Sequence, residues 1–214
     1  LLGWSVEVGQ QHIDVSLKHP IKFIANALGT PPPEAIEKAH EHGVLIGALC
    51  GKKKQALRHA QAGLDVIIAQ GTEAGGHTGE VATMVLTPEI VEAVGDVPVL
   101  AAGGIGSGRQ MAAALALGAQ GVWTGSIWLT TKEHVAYHAP VVIEKLLEAQ
   151  STDTVRSRAI SGKPARQLKT AWTEAWASKD SPGYLPIPLM WMVQAEAVER
   201  IYHHGNKPLA GSPV

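Results

Sequence analysis

The chain has 214 residues, of which 45% are hydrophobic and 17% charged, with a formal net charge of -1. This is the composition of a folded chain with one sizeable core, and it excludes a disordered segment. The near-neutral balance offers no basic face for nucleic acid or an anionic membrane, and no apolar run approaches the ~18 residues a membrane-spanning helix needs. The single cysteine excludes an intramolecular disulfide framework and fits a reducing, cytoplasmic setting.

Residues 1–20 are weakly patterned, mixing Glu7, Gln10, Gln11 and Asp14 into apolar positions. They carry no signal-peptide pattern and no initiator methionine, so the chain is expected to begin inside a longer protein. Ile21 to Leu28 reads as a strand ending at Gly29. Thr30 is placed to cap a helix entered through Pro31–Pro33, with Ala35, Ile36 and Ala39 as its apolar stripe and Gly43 as its stop. Val44 to Cys50 is a second strand, Lys52 to Ala62 a second helix, and Asp65 to Ala69 a third, wholly apolar-centred strand.

Residues 71–86 form a longer connection that holds the glycine loop of the stretch Gln70-Gly71-Thr72-Glu73-Ala74-Gly75-Gly76-His77-Thr78-Gly79. Thr87-Pro88-Glu89 predicts the opening of a short helix that ends at Gly95. Val97 to Ala102 is the fourth strand and runs into Gly103-Gly104-Ile105-Gly106-Ser107-Gly108. Ser107 and Gln110 have capping-box spacing for a helix whose predicted buried stripe is Met111, Ala114 and Leu115. Gly121 to Leu129 reads as the fifth strand and about Lys132 to Glu148 as a long helix. Beyond residue 150 the pattern changes: a short strand within Thr154 to Ile160, a helix over Leu168 to Ala177, a proline-rich connection, and a last helix from Met190 to His203.

Strands beginning near 21, 44, 65, 97 and 121 recur every 21 to 24 residues, except for one interval of 32 that holds the His77 loop. Alternating strands and helices predict a parallel sheet with right-handed crossovers. Short regular repeats with glycine at the strand ends favour an α/β fold of the (β/α)8 TIM-barrel type over a two-layer sheet. Five units do not close such a barrel, so about three N-terminal βα units are expected to lie outside this chain. The predicted organisation is a partial, cofactor-binding barrel over residues 1–150 and a C-terminal helical extension over residues 151–214 packing on it.

Chemistry concentrates at the strand ends. The Gly103–Gly108 turn between a strand and a helix N-terminus is an anion site by geometry, because successive N–H groups and the helix dipole favour a phosphate. If these are the last five barrel strands, Thr124-Gly125-Ser126 completes that site on the next strand end. The plain alternative is a tight turn needing glycine for backbone reasons alone. His77 is a general base or an electron-transfer partner, since imidazole titrates near neutral pH, or else an ordinary loop histidine. Gly75 and Gly76 beside it allow close backbone approach to a ligand.

His134 and His138 have metal-ligand spacing without a third ligand, and read as surface. The pairs His40/His42 and His203/His204, and Lys52 to Lys54, read as solvated. Cys50 reads as a small buried residue, and Trp172, Trp176, Met190, Trp191 and Met192 as packing residues. No metal site is predicted.

The stretches Gln70–Gly79, Val97–Ile105 and Leu117–Ser126, in this order and spacing, resemble the nitronate monooxygenase family (2-nitropropane dioxygenase-like), FMN-dependent TIM-barrel enzymes. The resemblance covers roughly residues 21 to 205, the C-terminal part of that family. It implies that His77 is the catalytic histidine beside the flavin. It also implies that Gln70, Gly75 and the adjacent Gly76 contact FMN, that Gly104 with Gly103 binds its phosphate, and that Trp123, Thr124, Gly125 and Ser126 line the same site. The family has Gly-Thr where this chain has Gly125-Ser126, and serine keeps the hydroxyl. The family's N-terminal Pro-Met strand has no counterpart here.

The implied activity is oxidation of an alkyl nitronate, or a nitroalkane, by FMN and O2 to a carbonyl compound and nitrite. The implied partners are that small substrate and O2, and a homodimer is compatible. A second reading keeps FMN but makes the protein an NAD(P)H-dependent reductase of a quinone or an enoyl thioester. A third is a non-catalytic fragment that binds FMN or another phosphate compound.

Overall fold

A computed structural model of the protein describes residues 6–135 and 139–214. In chain order its elements are α1 (Val6–Ser16), β1 (Phe23–Asn26), α2 (Pro33–Glu41), β2 (Leu45–Cys50), α3 (Lys53–Gln61), β3 (Val66–Gln70), β4 (Gly76–His77) and α4 (Thr83–Val94). They continue with β5 (Val99–Ala102), α5 (Gly108–Ala116), β6 (Gly121–Trp123), α6 (Lys132–Val135), α7 (Pro140–Glu148), β7 (Thr154–Ser157), β8 (Ala165–Leu168), α8 (Ala171–Ala177) and α9 (Leu189–His203). The chain divides into two compact units: one runs to Gly71 and resumes from Gly79 to Trp123, and the other comprises Thr72–Thr78 and Thr124–Val214. Among the described residues no helix is long and apolar enough to cross a membrane.

The first unit is the α/β part. Its sheet has the order β1-β2-β3-β5-β6, and every neighbouring pair is parallel. Sequential strands lying side by side, with helices between them, are the arrangement of (β/α)8-type βα units, as the periodicity predicts. The core explains why β3 is apolar at every central position. Ile67, Ile68 and Ala69 are fully buried; Ile67 and Ala69 share one interior with Ile46, Leu86, Ile90 and Val99, and Ile68 points to the other face of the sheet. Each of the isoleucine, leucine and valine side chains contributes about 1.5–3 kcal/mol through burial.

Local boundaries differ from the sequence reading for identifiable reasons. The weakly patterned N-terminal stretch contains a helix, α1, tied to α2 by the Asp14–Lys38 ion pair. Thr30 does not cap α2: the N-cap position is Pro32, and the Thr30 hydroxyl lies 2.8 Å from His59 Nδ1 instead. Helix α4 starts at Thr83 rather than Thr87, so Pro88 sits inside it. The fifth strand ends at Trp123, because Gly125 (φ -123°, ψ -72°) leaves the extended region and opens a 3-10 turn over Ser126–Trp128. The expected helix over 132–148 is interrupted, and α7 begins at Pro140, where a missing N–H costs nothing. In α5 only Ala114 is buried, while Met111 and Leu115 are each 44% exposed.

The second unit is not purely helical. Strands β4, β8 and β7 form an antiparallel sheet, with His77 opposite Ala165 and Arg156 opposite Arg166. Helix α8 begins at Ala171, after the end of β8, because Thr170 and Thr173 cap it reciprocally. Val141, Val142, Ile201 and Ala210 form the helical core of this unit, with Leu146, Trp172 and Leu209 against it.

Candidate functional site

The carboxyl edge of the parallel sheet carries four of the predicted ligand-binding residues. Gln70 is the last residue of β3 and pairs in register with Ala102, the last of β5; Ala102 pairs in turn with Trp123, the last of β6. Gln70, Ala102 and Trp123 therefore form a row across three adjacent strand ends, about 4.8 Å apart. The chain leaves Ala102 through Gly103 (φ 114°) and Gly104 (φ 67°), a backbone that side-chain-bearing residues rarely adopt.

Ser107 then caps α5 by accepting the Gln110 N–H, while Gln110 Oε1 accepts the Gly106 N–H at 2.9 Å and Nε2 donates to the Gly104 carbonyl at 2.6 Å. The result is a glycine-rich turn, exposed at Gly104 and Gly106, joined to a helix N-terminus, and these residues fit a phosphate group. The Trp123 ring packs edge-on against Phe23 with centroids 6.1 Å apart and remains 38% exposed.

The other predicted residues belong to the second unit. Gly76 (φ 78°) turns the chain so that His77 enters β4. A Cβ on Gly75 would lie 2.6 Å from the Val214 backbone carbon, so close packing alone already requires glycine there. Thr124 Oγ1 accepts the Trp128 indole N–H at 3.0 Å, and Ser126 opens the 3-10 turn after the exposed Gly125.

His77 has a partner that the sequence reading missed. Its Nε2 lies 2.6 Å from Oγ of Ser161, which is fully buried. Ser161 Oγ also accepts the Lys163 N–H at 3.3 Å. Desolvation, and secondarily the charge of Lys163, hold the His77 imidazole below its ordinary pKa of 6.5. The loop itself is held by two arginines. Arg156 donates to Thr78 Oγ1 at 3.2 Å and to its carbonyl at 3.0 Å. Arg166 donates to the Thr72 carbonyl at 2.8 Å and to Thr154 Oγ1 at 3.0 Å. The neutral imidazole is thus oriented by a buried hydroxyl on a stapled loop, which suits it to exchange a proton near neutral pH.

The remaining candidates separate cleanly. Cys50 is buried, and desolvation pushes its thiol up to about 12. Lys52 to Lys54 are exposed, as read. His40 is exposed, as read, and contacts Asp65 at 2.9 Å; Asp65 also accepts the Ile46 N–H. His134 lies in α6, while His138 falls outside the described residues; among those described, no group of three His, Cys, Asp or Glu residues is placed to hold a metal.

Three comparisons with known proteins follow this geometry. The nitronate monooxygenase family profile matches residues 2–196. A Mycobacterium tuberculosis protein provisionally named a monooxygenase is 58% identical over 199 residues, covering 93% of this chain and 52% of that protein. A Rhodococcus jostii hydroxy-methyl-oxo-octahydroindene-carboxyl-CoA dehydrogenase is 41% identical over 158 residues, covering 74% of this chain and 44% of that one. Among solved structures, the nitroalkane oxidase of Streptomyces ansochromogenes superposes with a TM-score of 0.82 at 27% identity, covering 95% of this chain and 60% of that chain. The chain thus spans about half the length of the curated relatives it matches. With the family profile extending over most of its residues, the chain belongs to the nitronate monooxygenase family.

Proposed function

We propose that the protein is an FMN-dependent oxidoreductase that oxidises alkyl nitronates, or the parent nitroalkanes, with O2 to a carbonyl compound and nitrite. The observation that carries this reading is the row Gln70, Ala102, Trp123 along the carboxyl edge of the sheet, with the Gly103-Gly104 turn springing from its centre. Ligands of parallel α/β folds bind at that edge. Family membership and the likeness to a nitroalkane oxidase support the choice of substrate. The single cysteine supports a cytoplasmic setting.

In this reading FMN supplies the electron acceptor. The backbone of Gly103 and Gly104, backed by the N-terminus of α5, holds its phosphate. Gln70 and Trp123 complete the first unit's part of the proposed binding set, and Gly75, Gly76, Thr124, Gly125 and Ser126 are proposed for it on the family resemblance alone. His77 is the catalytic base. Its ring is neutral at pH 7, so it takes the proton from the α-carbon of a nitroalkane onto a ring nitrogen; toward a preformed nitronate it donates an N–H hydrogen bond to the anionic nitro oxygens. Ser161 keeps the ring in one orientation during either step.

The test is made on the intact protein carrying FMN. Ethylnitronate in the presence of O2 is expected to yield nitrite and to consume O2. The variant His77→Asn is expected to retain FMN and to lose about 10²–10⁴-fold in turnover of a nitroalkane. Under anaerobic conditions, bleaching of the flavin bands by NADH together with none by nitronate would overturn the proposal. That outcome would instead favour the NAD(P)H-reductase reading, for which the likeness to a CoA-thioester dehydrogenase is a specific support.

A further inference from the structure

Residues 211–214 run along the sheet of the second unit, beside the His77 loop. The Leu168 N–H donates to the Ser212 carbonyl at 2.9 Å, the Val214 N–H donates to the Arg166 carbonyl at 3.3 Å, and Pro213 lies opposite Gln167 in an antiparallel bridge. Strand β7 takes one edge of β8 over its whole length, so this strap takes the other, the edge that β4 also uses. The two meet end to end at Arg166, whose carbonyl accepts the Val214 N–H and whose register partner is Gly76. Proline suits position 213, because a residue flanked by two ladder bonds turns its own nitrogen away from the partner strand.

The strap is tied down residue by residue. Ala210, where it begins, is fully buried, and its carbonyl accepts a hydrogen bond from the Lys145 ammonium at 2.9 Å. The Gly211 carbonyl accepts the Tyr202 hydroxyl at 2.7 Å, and Ser212 is buried. The other end meets the loop at Gly75. A Cβ there would lie 2.6 Å from the Val214 carbonyl carbon, 2.8 Å from its Cα and 3.0 Å from its nitrogen. Gly75 has no positive φ, so its backbone conformation does not call for glycine, whereas the contact with Val214 does. Backbone packed on backbone leaves little slack. From this seat the chain turns at Gly76 (φ 78°), and the next residue is His77.

We propose that residues 211–214 are a positioning element for His77: the Val214 backbone is the stop against which Gly75 seats, and it fixes where the loop delivers the imidazole to Ser161. The proposal rests on the reading of His77 as the base and assigns no chemistry to the strap itself.

The test is a cycle of three variants of the FMN-loaded protein: Gly75→Ala, deletion of Pro213 and Val214, and both together. Each is read by hydrogen exchange at residues 72–78, by NMR titration of His77, and by kcat and KM with nitroethane. Gly75→Ala alone is expected to speed loop exchange and to lower kcat, each about tenfold, with KM within about twofold, because the new methyl drives the loop off Val214. The deletion alone is expected to do the same by removing the stop, and to move the His77 titration up toward 6.5 as the ring loses its desolvated seat. In the double variant the alanine is expected to add less than about twofold, since nothing is left for its methyl to strike. Tyr202→Phe, which removes one tie without changing shape, is expected to speed exchange at the same amides about threefold, and it decides the matter even if the deletion does not fold. Additive effects in the double variant, an unchanged His77 titration after the deletion, or no response of residues 72–78 to Tyr202→Phe would overturn the proposal. Absence of nitroethane turnover in the unaltered protein would count against the proposed function alone, because exchange and titration still decide the role of the strap.

Discussion

Ser161 Oγ stands 2.6 Å from His77 Nε2, joining residues 84 positions apart in the chain. Serine has a single hydroxyl hydrogen, which goes either to Nε2 or to the Lys163 carbonyl at 3.4 Å; in the second case Nε2–H donates to the serine and Nδ1 carries the lone pair. Either way the ring cannot rotate without breaking a partly buried hydrogen bond. The variant Ser161→Ala is therefore expected to lower kcat with a nitroalkane by about tenfold, the equivalent of about 1–2 kcal/mol, with FMN content unchanged. Because a merely structural role would alter folding and not the titration of the ring, the decisive readout is the pH profile of kcat/KM. An unchanged acid limb together with unchanged kcat would remove Ser161 from the mechanism.

Lys163 provides a second handle on the same ring. Desolvation first and the Lys163 charge second hold His77 below 6.5, so the neutral form that the proposed base requires persists to lower pH than for a free histidine. The acid limb of kcat/KM is expected below pH 6.5, and Lys163→Met is expected to move it upward, toward the ordinary value. Movement in the opposite direction would show that the ring responds to something other than that charge.

Features encoded by neighbouring residues were legible in the sequence; those depending on distant pairing were not. The apolar run of β3 announces its burial on both sheet faces, and the spacing of Ser107 and Gln110 announces the cap of α5. The row of strand ends follows from the βα repeat, because parallel neighbours in sequential order bring each strand's last residue to one edge. The partner of His77 is different in kind. Ser161 lies after β7, and it meets the histidine only because β4 pairs antiparallel with β8, a strand of four residues with no conspicuous alternation. Helical periodicity also misled in α5, where the predicted stripe contains Met111 and Leu115 but only Ala114 reaches the interior. The division into units was equally hidden, since two residues of strand place the His77 loop with the C-terminal sheet rather than with its sequence neighbours.

The buried His59 makes acid stability testable. Its Nε2 lies 3.3 Å from the Leu49 carbonyl, so in the neutral ring that nitrogen donates and Nδ1 accepts the Thr30 hydroxyl at 2.8 Å. Desolvation lowers its pKa below 6.5 despite the Leu49 carbonyl. The unfolded chain therefore takes up a proton that the native protein resists, and stability is lost as pH falls below 6.5 toward the native value. Urea midpoints measured between about pH 7 and pH 5 are expected to fall, and less steeply in His59→Gln, whose amide can satisfy both partners. Identical slopes for the two proteins would show that other groups carry the effect.

Arg166 is expected to act as a staple for the His77 loop. Its two bonds, to the Thr72 carbonyl and to Thr154, hold both sides of the antiparallel sheet. Lysine cannot reproduce the fork, so both Arg166→Lys and Arg166→Met are expected to release residues 72–78 at a cost of about 1–3 kcal/mol. Hydrogen exchange should quicken at His77 and its neighbours while the amides of β3 and β5 keep their protection. Uniform acceleration throughout the chain would mean global destabilisation instead.

Cys50 offers a reactivity test that separates a buried structural thiol from a nucleophile. Its residue is 2% exposed, its Sγ–H points to the Ile68 carbonyl at 3.6 Å, and desolvation raises its pKa to about 12. Alkylation requires the thiolate, which is scarce at that pKa and shielded from solvent. Iodoacetamide at about pH 8 is therefore expected to leave the native protein unlabelled by mass spectrometry and to label it promptly after unfolding in urea. Because labelling must wait for an opening that exposes the β2–β3 pair, the residual native rate should respond to core variants such as Ile67→Val, which costs about 0.5–1.5 kcal/mol. Fast labelling of the folded protein, independent of such variants, would place Cys50 at an accessible and activated position, contrary to its burial among the strand interiors.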